Sequence, residues 1–114
     1  MARSKIPGPL ERRHLVERNL GESRALQIAE AYLAEGRAVE AVDFLRIGNG
    51  ADRLRELRRQ AVESGDVFLL RAVVAATGED PEPGEWRDLA DAAAAAGKES
   101  YAVEARRQAQ RGED

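Results

Sequence analysis

Between Ala25 and Leu45, in the stretch ALQIAEAYLAEGRAVEAVDFL, apolar residues recur at helical spacing on both sides of a single glycine. Ile28, Ala29, Tyr32 and Leu33 fall on one helical face, and the good helix formers Ala, Leu, Glu and Gln fill the positions between them. Gly36 stands where a left-handed residue closes a helix at little cost. Beyond it Val39, Val42, Phe44, Leu45 and Ile47 predict a second apolar stripe, and Ala38 and Ala41 permit close approach of the two backbones. Gly48-Asn49-Gly50 ends the segment. The pattern therefore predicts two short helices folded against each other, with Ser23 as the N-cap of the first.

The same alternation returns downstream. Leu54, Leu57, Ala61 and Val62 predict one helix ending at Ser64-Gly65, and Asp66 is placed to cap the next. That next helix carries Val67, Leu69, Leu70, Val73 and Val74, is apolar nearly all round, and is expected to be the buried middle of the fold. Gly78 to Gly84, GEDPEPG, is read as a loop. A last pair follows from about Glu85, with Trp86, Leu89, Ala90 and Ala93 before a turn at Gly97 and Ala102 and Ala109 after it. At the N-terminus, two prolines and a glycine exclude regular structure over 1–9, a flexible segment. Pro9 opens a leading helix to about Asn19 that covers the end of the stack. One all-α domain over 10–111 is expected, with a disordered, fraying tail at 112–114.

The residues of the first pair resemble the tetratricopeptide family, a helix–turn–helix repeat of about 34 residues. Ile28, Ala29, Tyr32, Gly36, Ala41 and Leu45 occupy that family's large, small, aromatic, turn, small and bulky places, whereas Ala25 replaces its early Trp and no proline closes the unit. In the last pair Trp86, Leu89, Ala90, Gly97 and Ala102 fit, with Ala93 in the aromatic place and Arg106 in the bulky one. The middle pair is degenerate: Leu57 fits, but Arg58 and Leu70 stand where small residues belong. The turn glycines 36, 65 and 97 are 29 and 32 residues apart by subtraction. The resemblance implies three antiparallel helix hairpins stacked as a short right-handed array, with a compact seven-helix bundle as the alternative. It also implies a concave groove lined by the first helix of each pair. Mapped from the glycines, the groove residues are Leu26, Glu30 and Leu33, then Arg55, Arg59 and Val62, then Arg87 and Asp91. The Lys/Asn set with which some members of the family hold a C-terminal carboxylate is absent from these places.

Composition narrows the chemistry. Aromatics are only 4% of the 114 residues, so the core must be aliphatic and rich in alanine. No cysteine is present, which removes disulfides, thiol nucleophiles and thiolate metal sites. The formal net charge of −3 disfavours general nucleic-acid binding, although Arg-rich stretches lie at 3–18 and 53–59. No apolar run approaches the roughly 18 residues of a membrane span, and a cytoplasmic protein is the expectation. The Ala, Arg, Glu and Gly bias suits a GC-rich bacterial genome.

His14, the only histidine, lies beside arginines and reads as a surface or boundary residue. The acids Glu79, Asp80, Glu82, Glu85, Asp88 and Asp91 lack the ligand alternation of a calcium loop and read as solvated loop and helix-start charge. Trp86 serves either as a partner anchor or as packing between the second and third pairs. Arg53, Arg55, Arg58 and Arg59 crowd one helix; Asp52, Glu56 and Glu63 neutralise them locally, or Arg55 and Arg59 converge on a carboxylate or acidic peptide. No nucleophile–base pair, phosphate loop or ligand cluster is recognisable, and no cofactor or metal is expected. The expected function is a non-catalytic protein–protein interaction module that binds a partner segment on its helical surface. The alternative is a structural subunit of a larger assembly.

Overall fold

A computed structural model describes residues 21–113. The leading helix expected over 10–19, with His14, lies outside the described residues. Six helices are present among the described residues and no strand: α1 (Glu22–Ala34), α2 (Ala38–Ile47), α3 (Ala51–Ser64), α4 (Val67–Thr77), α5 (Pro83–Ala95) and α6 (Glu99–Glu113). The fold is all-α, and no described helix is long and apolar enough to cross a membrane. The chain divides into two compact units, 1–54 and 55–114, so that the first turn of α3 belongs to the first unit and the rest to the second.

Within the first unit α1 packs on α2. Ala25, Ile28, Ala29 and Tyr32 are buried from one side, Ala41, Val42, Phe44 and Leu45 from the other. The rings of Tyr32 and Phe44 stack with centroids 5.5 Å apart, and the Arg37 guanidinium covers the Tyr32 ring at 4.8 Å. Three expectations are corrected here. Val39 is 44% exposed and Ile47 only half-buried, because Val39, Val42, Phe44, Leu45 and Ile47 spread too widely around a helix of about 3.6 residues per turn to face one partner; the stripe is carried by 41, 42, 44 and 45. Ser23 is not the cap: α1 starts one residue earlier, after an extended Gly21 that offers no side-chain acceptor.

Within the second unit α5 packs on α6. This pair is closed at its far end by Gly112, whose α-carbon lies so near Pro83 that a Cβ there would stand 3.0 Å from the proline Cγ. The helix consequently runs to Glu113. Leu54 at the unit boundary and Leu57, Ala61, Leu69, Leu70, Val73, Leu89 and Ala93 are buried. Asp66 caps α4 as expected, its Oδ1 accepting from the Leu69 amide at 3.0 Å. The loop expected over 78–84 is shorter, because Pro83 starts α5 as its first residue. Helix α4 is not buried all round: Phe68 is 60% exposed, with Tyr101 of α6 edge-on to it at 5.6 Å.

The joints share one geometry. At Gly36, Gly65 and Gly97 the glycine is left-handed, with φ of +72°, +70° and +76°. In each, the glycine amide donates to the carbonyl three residues back, and the following amide to the carbonyl five back. This double closure satisfies two terminal carbonyls and reverses the chain in two or three residues. Asn49, with φ +57°, makes the same pair of bonds between α2 and α3.

Candidate functional site

Gly65 fixes how the second unit is assembled. A Cβ at this position would stand 2.5 Å from the N and Cα of Ala93. The turn after α3 therefore rests directly on the backbone of α5. Seven residues before Gly65, Arg58 of α3 reaches Glu85, eight residues before Ala93 in α5, through two bonds of 2.7 and 2.9 Å, and also donates to the Glu79 carbonyl at 2.8 Å. The pairs 58–85 and 65–93 advance together, so α3 and α5 run in the same direction. On the other layer Phe68 meets Tyr101 and Arg71 meets Glu104 at 2.7 Å, each pair 33 positions apart by subtraction. Helices α4 and α6 are parallel too.

Each groove residue implied by the resemblance has a definite place. In the first unit Leu26 is half-buried over Gly48 and Gly50, where a Cβ would meet it at 2.8 and 3.1 Å. Glu30 is exposed and accepts from the Nε and Nη2 of Arg53 at 2.8 and 3.0 Å. That hydrogen bond first, and the arginine's charge as well, lower the Glu30 carboxyl below its ordinary value. Leu33 is half-buried on the same helix. Leu26 and Glu30 share a shallow depression with Ser23, Gln27, Ala31 and Ala34, all on α1 alone. In the second unit Arg55 and Arg59 lie one turn apart on α3 and both are exposed. Arg59 keeps 70% of its side chain accessible, with Glu63 at 3.9 Å. Val62 is half-buried and Asp91 exposed. Arg87 pairs with Glu113, clamping α5 to the end of α6.

The four arginines of α3 thus divide. Two of them reach acids on other helices: Arg53 bonds Glu30 and Arg58 bonds Glu85. Arg58 is the least accessible, and its hydrogen bond to Glu85 raises its pKa above the ordinary value, with Glu79 and Asp80 adding smaller attractions. The same hydrogen bond lowers Glu85, against the opposing effect of partial burial. Among the described residues no three acids or histidines converge as metal ligands.

A concavity of the second unit was not legible in the sequence. It is an open depression of about 530 Å³ whose floor is Val74, Ala75, Pro81 and Trp86. Trp86 is 8% exposed and so packs chiefly as a core residue, leaving an edge of the indole at the surface. Arg71, Asp80, Gln108 and Arg111 stand around it. Arg71 and Gln108 both bond Glu104, at 2.7 and 2.9 Å. The Gln108 bond foremost, then the charges of Arg71 and Arg107, lower the Glu104 carboxyl. Residues 71 and 108 come from elements with no local signal linking them; only the parallel stacking of α4 and α6 brings them to one wall. No protein-family model, curated protein or solved structure matches this chain.

Proposed function

We propose that the chain is a non-catalytic interaction module that binds an acidic protein segment on the exposed face of α3, with Arg55 and Arg59 as the anion-binding pair. The module is tetratricopeptide-like in build, its helix pairs forming a short right-handed array in a cytoplasmic protein. The observation that carries this reading is the recurrence of one joint, the double-bonded left-handed glycine at 36, 65 and 97. Arrays of such pairs present rigid helix faces to extended or helical partners. Two guanidinium forks one turn apart match carboxylates spaced along such a partner. Function rests on the site and not on the fold, so the arginine pair is the part to test.

The test is retrieval of partners by the tagged protein from its native host, repeated with Arg55→Glu/Arg59→Glu after circular dichroism confirms an unchanged helical signal. A dominant acidic partner lost in the variant supports the module. A partner retained in full removes α3 as the interface. The second reading, a subunit of a larger assembly, is favoured by the exposed ring of Phe68. For that reading Phe68→Ser abolishes co-purification and Arg55→Glu/Arg59→Glu does not.

A further inference from the structure

The geometry points to a second, separate site: the Trp86 depression binds an apolar carboxylate, its tail on the indole and its charge at Arg111. The floor of Val74, Ala75, Pro81 and Trp86 is apolar, and its volume of about 530 Å³ falls within the roughly 300–1,000 Å³ of small-molecule pockets. The charges on the wall decide the class of ligand. Arg71 is compensated by Glu104 at 2.7 Å. Asp80 lines the depression and also adds a small attraction to Arg58. Arg107 and Gln108 also attend Glu104, at 3.3 and 2.9 Å. Neither Arg111 nor Asp80 has an ion pair among the described residues, and with Arg71 and Arg111 against Asp80 the charges lining the depression are cationic on balance. A carboxylate satisfies a guanidinium with two parallel bonds, and Arg71 retains further N–H groups for the same anion. Arg71, Gln108 and Glu104 are held in one network before any ligand arrives, which reduces the ordering cost of binding.

Trp86 is the sole tryptophan, so its emission reports occupancy directly. The experiment titrates the intact protein with sodium decanoate, 1-decanol and decyltrimethylammonium, three molecules with one tail and different heads. A saturable change in Trp86 emission is expected with decanoate, at an affinity about tenfold or more above that for decanol, the worth of one charge-assisted bond. Arg111→Glu removes that advantage and leaves decanol binding unchanged; Asp80→Asn strengthens decanoate binding. The indole Nε1–H resonance, followed in Arg111→Gln as well, separates loss of binding from loss of fold. Equal binding of decanoate and decanol, or tighter binding of the ammonium, overturns the assignment of an anion. No saturable response from any of the three overturns the site.

Discussion

Replacing Gly65 by alanine adds one carbon, and the expected damage has two separable parts. The first is conformational: an alanine at φ +70° costs about 1–2 kcal/mol relative to glycine. The second is steric, because the new Cβ would stand 2.5 Å from backbone atoms of Ala93. These atoms belong to a hydrogen-bonded helix and cannot rotate aside, so the turn must lift from α5, at about 1–3 kcal/mol. Gly97→Ala isolates the first part. It has φ +76° but nothing within 4 Å of the added carbon. Both glycines lie in the unit that contains Trp86, so tryptophan emission during urea unfolding reports each variant. Gly97→Ala is expected to lose about 1–2 kcal/mol, and Gly65→Ala about 2–5 kcal/mol. In thermal unfolding, about 4–8 °C per kcal/mol makes that difference measurable. Equal losses, within about 0.5 kcal/mol, would refute the direct seating of the α3–α4 joint on α5.

Phe44→Ala empties a fully buried ring site against Tyr32 and is expected to cost about 3–5 kcal/mol, read by circular dichroism. Asp66→Ala leaves the Leu69 amide without its acceptor and should cost about 1 kcal/mol in the same denaturation assay. Arg58→Met, which removes the partner of a half-buried Glu85, is expected to cost about 1–3 kcal/mol. Because Glu85 is lowered from its ordinary 4.5 by that arginine, its contribution is complete above this value and disappears as pH falls through the lower folded one. Stability measured across that acid range should therefore fall less steeply in Arg58→Met than in the parent.

What the sequence made legible was periodic and local. Ile28, Ala29, Tyr32 and Gly36 announce a helix and its end within nine positions, and Asp66 declares its cap from the apolar run that follows it. Val39 misled because an apolar residue in the first turn of a short helix can fall on either side of the stripe. The pairing of Arg53 and Arg58 was hidden for a different reason. Acids one to five residues away on the same helix were visible, but the acids that bind them are 23 and 27 residues distant and arrive through helix stacking. The Trp86 depression depends on the same stacking: Trp86 was legible as a candidate anchor, whereas Arg71 and Arg111 acquire meaning only when α4 and α6 lie parallel.

The joints also bear on how quickly the protein forms. The polar pairs between elements described above connect residues 21 to 33 positions apart, so each closes a loop of about one helix pair. The bonds inside each helix and across each joint are far more local, and proteins dominated by local contacts have low contact order and fold in about microseconds to milliseconds. Each left-handed joint reverses the chain in two or three residues, so a helix and its successor can meet as soon as both exist. A growing chain could thus consolidate one helix pair while the next is still emerging.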